Sequence, residues 1–513
     1  MKELVKKEEI VLDLLSEIYI IAMILFFPLL VDKTGFFRIL ECKWHSYLVI
    51  AVIYLLSTIA VCLYFYIFKK VNIFKQVRFS KVQFFAIAFL AVNFISCFAS
   101  PFFENYNLFI GTGRGEGLIM MTLYSLTFLF VSLFGKFKKR YILYFSIESI
   151  FVNLIAILQY IGFNPFNMYQ SGIGTHNVSF MGTIGNVSFI SATFCILLPI
   201  SFMAFVFLEN ESKINKIIHF FSILMGAFIF GIINVLSGKV AFFATLVLIF
   251  PFIITNNNRL SRFLLMVVAI LSAYCINVII NPEYHYDLGT LDFYFQFNYI
   301  VVLFIIVIVL LIWLSQVLLK QKYDITENKK FIKYFYLTIC FFGMLGVIVL
   351  YFYNFKSGML YEIHEILHGN FDDNFGTYRI FLWKRTFAIF PEFPILGSGP
   401  DSFAIRFMAK YTEDIAAIGP LTLNDTAANV YLTMLINIGL VGLGTYLLFI
   451  ISQIKKGIKN MNEYSLILLV TIICYLIQDC FNLSVVIVTP IFWLLMAIHY
   501  GSISSKKDIE KNV

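Results

Sequence analysis

Long apolar runs separated by short polar segments make up most of this 513-residue chain. Each run has about the 20 residues that a helix needs to cross the hydrocarbon core of a bilayer. The pattern predicts an all-α, polytopic membrane helix bundle of about 12–14 transmembrane helices. The runs are 16–31, 47–67, 82–98, 117–134, 141–161, 187–208, 217–235, 240–255, 263–280, 297–319, 334–354, 427–453, 463–478 and 485–500.

One polar segment, 355–426, is much longer than the others. It divides the chain into a transmembrane part of about 11 spans (1–354), a loop subdomain (355–426) and C-terminal spans (427–513), which together are expected to form one domain. The loop should contain short helices. EIHEILHG ends in Gly369, a residue type that often follows a helix, and PEFP should stop the helical pattern TYRIFLWKRTFAIF.

The composition is typical of a membrane protein, and the distribution of charged residues predicts how the chain is oriented across the membrane. Hydrophobic residues are 60% of the chain, more than a soluble domain usually contains. With the N-terminus in the cytoplasm, 27 of the 38 Lys and Arg residues fall in inner segments and 11 in outer ones. This asymmetry predicts that both termini are cytoplasmic and that the long loop is extracytoplasmic. Topology and contact with membrane lipids account for the net charge of +8, so no nucleic-acid partner is expected.

Three cations are candidates for binding an anionic ligand. Arg114, in GTGRGEG, either contacts an anion or extends from the membrane interface to solvent. Lys239 lies between two closely spaced spans, against the charge bias, and faces either an anionic ligand or solvent. Arg379 follows Asp372 and Asp373. Its planar guanidinium suits a diphosphate, and the alternative is a structural ion pair with those aspartates.

Two further groups offer proton transfer or metal binding. His364, Glu365 and His368 form an HExxH string, in which histidines four residues apart on a helix share a face and bind zinc in metalloproteases. No third ligand is apparent, so structural or glycan-contacting histidines are the preferred interpretation and no metal or cofactor is predicted. Asp425, before the next span, is either a base or orienting carboxylate or, like Asn424, a helix cap.

Several segments resemble the O-antigen ligase and polymerase superfamily of membrane glycosyltransferases. The resemblance covers about 110–450. Within it, Lys239 stands where the family usually has Arg, and Arg379 matches the essential loop arginine of the family. The segments are GRGEGL at 113–118, LQYIGFNPF at 158–166, GTIGNVSFISATFCILLP at 182–199, SGKVAFFATL at 237–246 and TYRIFLWKRTFAIFPEFPILGSGPDSF at 377–403.

The hallmark of this superfamily, H-[NSQ]-x9-G-x2-[GTY], aligns with residues 428–442. Asn429, Gly439 and Gly442 match it, but Ala428 stands where the family has its catalytic His. Three interpretations follow: another group such as Asp425, His364 or His368 is the base, the chain binds without catalysing, or the His has been replaced in an otherwise intact motif.

The resemblance implies an enzyme of the bacterial cytoplasmic membrane that performs a metal-independent, inverting transfer. The donor would be a glycan on a polyprenyl diphosphate, and the acceptor a hydroxyl of a glycan or lipid. Arg379 and the residue at 428 would be the working pair. Arg114, Lys239, Asn429 and His368 are candidate substrate contacts.

Two alternatives come from other classes of protein. One is a non-catalytic protein that binds or transports lipid-linked glycan, although a flippase should carry charges deep within its spans, and these apolar runs have few. The other is a zinc membrane protease that uses the HEILH string at 364–368.

Overall fold

The computed structural model is a helical bundle, and it describes most of the chain. Helices predominate because almost every apolar run is long, uninterrupted and nearly free of charge. In such a run the backbone polar groups must be satisfied within the segment itself. The described residues are 2–70, 79–111, 113–168, 182–233, 235–285, 290–295, 299–320, 329–418 and 425–509.

Thirteen of the fourteen predicted runs each correspond to one helix. Run 16–31 contains the end of one α-helix (Lys2–Ile21), a π-helix (Ala22–Phe26) and a 3-10 helix (Phe27–Leu29). Among the residues that the structure describes, eleven helices are long and apolar enough to cross a membrane. The helices of the bundle are α1 (Lys2–Ile21), α2 (Ile39–Lys69), α3 (Lys81–Phe98), α5 (Leu118–Phe134), α6 (Arg140–Tyr160), α7 (Val187–Phe207), α8 (Lys213–Ile232), α9 (Leu236–Ile254), α10 (Asn257–Ile279), α11 (Tyr299–Lys320), α12 (Lys329–Phe352), α16 (Val430–Lys459), α17 (Glu463–Asp479) and α18 (Thr489–Ile509); a four-residue α4 (Asn107–Ile110) precedes α5.

The core of the bundle surrounds α7. Nearly all of this helix is buried, and it packs against α6, α8, α9 and α17. At the periphery, α12 has no buried residue in its most apolar stretch, and α11 has few. Because α11 and α12 are almost entirely apolar, their exposed faces are suited to lipid rather than water.

The described part of the long loop contains three short helices, and the first two lie in the segments where the sequence predicts them. They are α13 (Gly358–Leu367), α14 (Phe375–Ile389) and α15 (Phe403–Ile418). Gly369 follows α13 with a φ of 85°, the left-handed conformation expected of a residue just beyond a helix. A small apolar cluster joins α14 and α15 to the start of α16 and contains Phe381, Leu382, Ile389, Phe403, Phe407, Ala427 and Ile436.

One element departs from the all-α prediction. Strands β1 (Ile280–His285) and β2 (Thr290–Phe295) form an antiparallel pair between α10 and α11, with Ile280 opposite Phe295. A strand pair this short lies within a connection between two spans, where no apolar run signals it. The fold class is unchanged.

Helix α16 is broken at Gly439, and the loop at 394–399 fills the break. Gly439 has a φ of 67°, so the intrahelical hydrogen bonds around it are lost. The N–H groups of Leu440 and Val441 donate instead to the carbonyls of Pro394 and Ile395. In the opposite direction, the N–H groups of Ser398 and Gly399 donate to the carbonyls of Ile436 and Asn437. The glycine-rich parts of the two sequence motifs therefore bind each other.

Candidate functional site

The candidate site lies around residues 480–484, which follow α17 and are here called the 480–484 segment. Arg379 Nη2 donates to the carbonyl of Phe481 at 3.0 Å, and Asn429 Nδ2 donates to the carbonyl of Cys480 at 2.8 Å. Asn482 Nδ2 donates to the carbonyl of Ser188, at the start of α7, at 3.0 Å. The long loop, the start of α16 and the start of α7, which are far apart in the sequence, thus all contact the 480–484 segment.

Arg114 and Asp425 form a two-point ion pair. Arg114 Nε lies 2.8 Å from Asp425 Oδ2, and Arg114 Nη2 lies 3.1 Å from Oδ1. The two side chains are only 15% and 6% exposed. The guanidinium also lies over the ring of Phe189. Arg114 therefore does not extend freely to solvent, and its charge is neutralised within the protein.

Arg379 has no carboxylate partner among the described residues. Its Nη1 donates to the carbonyl of Gly376 at 2.9 Å and to Thr377 Oγ1 at 2.8 Å, and its Nε is buried with no hydrogen-bond partner. Burial lowers the pKa of the guanidinium below its usual value. A guanidinium titrates so far above neutral pH that the side chain remains a cation. Arg379 is thus a partly buried cation whose charge is not neutralised by any described carboxylate.

The predicted alternative for Arg379, an ion pair with neighbouring aspartates, is wrong. Asp373 pairs instead with Lys384 at 2.7 Å and with Arg385 at 2.9 Å, and those cations hold the pKa of its carboxyl below the usual value. Asp372 accepts a hydrogen bond from the N–H of Asn374. Both aspartates are therefore bound to groups other than the Arg379 guanidinium.

A left-handed turn presents Arg379. Gly376, Thr377 and Tyr378 have φ angles of 62°, 55° and 65°, values that L residues other than glycine rarely adopt. For the β-branched Thr377 this conformation is unfavourable, by about 1–2 kcal/mol. The carbonyl and hydroxyl that this turn exposes are those that bind Arg379. Backbone strain of this kind is common where a side chain must be held in one orientation.

Position 428 retains a defined backbone although it lacks the family His. Ala428 has a φ of 49° and is half-buried, and Trp383 Nε1 holds the preceding carbonyl of Ala427 at 3.0 Å. Asn429 caps α16, because its side chain accepts from the N–H of Leu432 at 3.0 Å. The cap prediction for Asp425 is therefore wrong, since that carboxylate is held by Arg114. Asn424 lies outside the described residues.

Within the described residues, the two histidines of the HEILH string form no hydrogen bond or ion pair with Arg114, Asp425 or Arg379, although Glu362 of the same helix accepts a hydrogen bond from the N–H of Gly376. Both are on or next to α13, and their ring centroids are 4.3 Å apart, as the shared helix face predicts. His364 Nδ1 bonds to the carbonyl of Leu350, and His368 stacks on Tyr351. Within the described ranges, no group of three or more His, Cys, Asp or Glu side chains is placed to hold a metal ion.

Lys239 is in the first turn of α9 and is half-buried. No hydrogen bond or ion pair joins it to the residues that the structure describes. Two hydroxyls of this region, those of Ser191 and Ser237, are buried with no partner. Lys239 therefore keeps its charge available, like Arg379 and unlike Arg114.

Three residues of the site were not singled out from the sequence. Ser484 Oγ donates to the buried carboxylate of Glu116, and Asp479 lines a small cavity beside Ser484. Glu116 is part of the GRGEG motif, but its motif position does not indicate its partner, which lies 368 residues away. Asp479 and Ser484 belong to no motif, although a carboxylate at the end of an apolar run is itself a signal.

The comparisons agree with the resemblance seen in the sequence. Residues 296–447 match a family model described as O-Antigen ligase. That range includes Arg379, Asp425, Ala428, Asn429 and Gly439. No curated protein matches the chain. The described residues thus contain eleven candidate membrane spans, and residues 296–447, which include Arg379 and are less than half of the chain, are similar to O-antigen ligases.

Proposed function

We propose that this protein transfers or polymerises a glycan from a polyprenyl-diphosphate-linked donor onto an acceptor hydroxyl of a glycan or lipid. The observation that carries the proposal is Arg379, a partly buried cation with no carboxylate partner in the described chain, held beside the 480–484 segment within the matched family region. A guanidinium presents two parallel donors that suit the oxygens of a diphosphate.

The donor chemistry follows from charge. When the glycosidic carbon–oxygen bond breaks, negative charge develops on the leaving diphosphate, and a fixed cation lowers the energy of that state. Arg379 is preorganised for this task by its three hydrogen bonds to Gly376, Thr377 and Phe481. Lys239 would supply a second charge, since it has no partner of its own among the described residues.

The same proposal places the reaction at the outer face of a bacterial cytoplasmic membrane. The support is the excess of Lys and Arg in one set of connecting segments, which would keep both termini inside and the 355–426 loop outside. The site would then face donors that have already crossed the membrane. It would contribute to a cell-envelope or capsular polysaccharide.

Ala428 favours a second candidate function, binding of lipid-linked glycan without catalysis. Alanine cannot accept a proton, and Asp425 is a poor replacement base because both its oxygens are occupied by Arg114. In this alternative Arg379 still binds the diphosphate, but no transfer follows. A zinc protease has less support, because the histidines at 364 and 368 are bonded to backbone carbonyls and have no third ligand among described residues.

Release of polyprenyl diphosphate from a glycan-loaded lipid donor tests the proposal. The chain is compared with Ala428→His, and Arg379→Ala is made in both backgrounds as the matched control. Turnover by either chain that disappears with Arg379→Ala supports a transferase. Donor binding without turnover in both backgrounds supports the binding protein. Absence of both turnover and donor binding refutes the proposal.

A further inference from the structure

The buried carboxylate of Glu116 contacts the 480–484 segment of the candidate site through Ser484. Glu116 is 6% exposed, and it accepts hydrogen bonds on both oxygens. Ser484 Oγ donates to Oε2, and the hydroxyl of Tyr124 donates to Oε1 at 3.2 Å. Ser484 Oγ also lies 3.0 Å from Thr489 Oγ1. A chain of hydroxyl groups therefore leads to this carboxylate.

A second buried carboxyl faces the same place. Asp479 is 2% exposed, and its Oδ1 has no hydrogen-bond partner among the residues that the structure describes. With Ser484 and Thr489 it lines a small cavity that has room for about one water molecule. A water there would meet three polar side chains, which is enough to hold it.

No described lysine or arginine forms an ion pair with either carboxyl. The titratable side chains that face Glu116 come from α5, α16 and α17, and they are Tyr124, Tyr446, Tyr475 and Asp479. Burial raises the pKa of Glu116, because the charged form loses hydration, and its hydroxyl donors oppose that rise only in part. A carboxylate of raised pKa binds a proton more readily near neutral pH.

Ser484 connects this carboxylate to the candidate site. Its side chain is half-buried, and it belongs to the segment whose carbonyls bind Arg379 and Asn429. A hydroxyl that donates to a carboxylate can accept a proton from an incoming hydroxyl as it passes its own proton on. This pairing has the geometry of an activated serine, although here the serine relays a proton and forms no covalent bond.

We propose that Glu116, acting through Ser484, takes the acceptor proton in this protein, in place of the side chain that Ala428 lacks; this rests on the proposed transferase function. The acceptor hydroxyl gives its proton to Ser484 Oγ while the Ser484 proton moves to Glu116 Oε2. The acceptor oxygen bonds to the anomeric carbon. The bond from that carbon to the diphosphate oxygen breaks, and its electron pair leaves with the diphosphate. Glu116, now neutral, later returns the proton to water.

The first test needs no substrate. Infrared pH titration of the full chain in nanodiscs would follow the carboxylic acid band that is lost in Glu116→Gln. We expect this band to titrate above the usual carboxyl range. Ser484→Ala should move it higher still, because that variant removes a donor that stabilises the carboxylate. A band that titrates in the usual range, or that ignores Ser484→Ala, overturns the relay.

The second test is the pH dependence of polyprenyl diphosphate release. Glu116→Gln and Ser484→Ala should each reduce turnover by about 10²- to 10³-fold, a usual contribution of general-base catalysis, and the acid limb of the profile should vanish in Glu116→Gln. Ser484→Thr should restore most of the activity, because it keeps the hydroxyl. The matched control is Glu148→Gln, which neutralises another fully buried carboxyl, on α6, and should leave the profile unchanged.

The outcomes separate the relay from the function on which it rests. Turnover by the unaltered chain that is insensitive to Glu116→Gln overturns the relay and leaves the transferase intact. Turnover only after Ala428→His also overturns it, because the natural chain then has no working base. If neither chain turns over, the transferase itself fails and the relay falls with it.

Discussion

Arg114 and Arg379 show how differently one protein can use two arginines near the same segment. Arg114 is held at two points by Asp425, so the pair has no net charge. Arg379 is held by two backbone carbonyls and one hydroxyl, which orient it without cancelling its charge. Carboxylate partners make an arginine structural, and neutral partners leave it ready for an anion. These contacts indicate a structural role for Arg114, and they support the proposal that Arg379 binds the anionic ligand.

Removing Arg379 should give the largest effect. Arg379→Ala should reduce transfer by about 10²- to 10³-fold, the usual cost of losing one donor to a developing oxyanion, while the fold is retained. Arg379→Lys should recover part of the activity, because it keeps the charge but not the two-point geometry. Donor turnover is the measurement, and Lys384→Ala, on the same helix, is the control. Unchanged transfer by Arg379→Ala would remove this residue from the mechanism.

Breaking the ion pair between Arg114 and Asp425 should lower the stability of the fold. Arg114→Ala and Asp425→Ala should each lower the free energy of unfolding by about 3 kcal/mol, because each leaves a largely buried charge without its partner. The double variant should be less destabilised than the sum of the two. Thermal unfolding in detergent measures all three. Strict additivity would contradict the ion pair, and loss of donor binding at full stability would mean that Arg114 also touches the ligand.

Gly439 tests the surroundings of Arg379 in another way. The helix break at Gly439 lets α16, whose cap is Asn429, form hydrogen bonds with the loop at 394–399. A Cβ at this position would meet the carbonyl oxygen of Ile395 at 2.3 Å, on a backbone that already has positive φ. Gly439→Ala should therefore destabilise the protein by about 2–3 kcal/mol. Gly444→Ala, in the same helix, meets nothing within 4 Å and should be neutral or slightly stabilising. Equal unfolding temperatures for the two variants would refute this account.

His368 should give the smallest effect, because it lies outside the comparison. His368→Ala removes a stacking contact with Tyr351 and should cost less than about 1 kcal/mol, with donor turnover close to that of the unaltered chain. Metal content is measured on the same preparations. Tightly bound zinc that disappears in this variant would contradict the assignment and would support the protease.

The bundle could be predicted from the sequence because each span is determined by its own apolar residues and not by contacts with distant parts of the chain. A run of apolar residues in a membrane has few alternatives to a helix, and all fourteen runs are helices in the structure. Gly369 likewise predicts the end of α13 correctly. The strand pair and α15 were missed because connections between spans are not subject to that constraint. Their structure depends on tertiary contacts.

The residues of the site were easier to predict than their partners. Motifs identify Arg114, Arg379 and Asn429, and Asp425 is identified by its position before a span. Arg114 and Asp425 are nevertheless 311 residues apart in the chain, and only the packing of helices brings them together. The aspartates next to Arg379 in sequence suggested an ion pair that a left-handed turn prevents. Ser484 had no motif at all, so its contact with Glu116 could not be foreseen.

The left-handed backbone at Ala428 limits which side chains position 428 can accept. Few residues tolerate a φ of 49°, and histidine, asparagine and aspartate are over-represented among those that do. Trp383 and the Asn429 cap hold this conformation without help from the alanine methyl group. A histidine at position 428 would therefore need little backbone adjustment. In evolutionary terms, one amino-acid substitution separates this position from the hallmark residue.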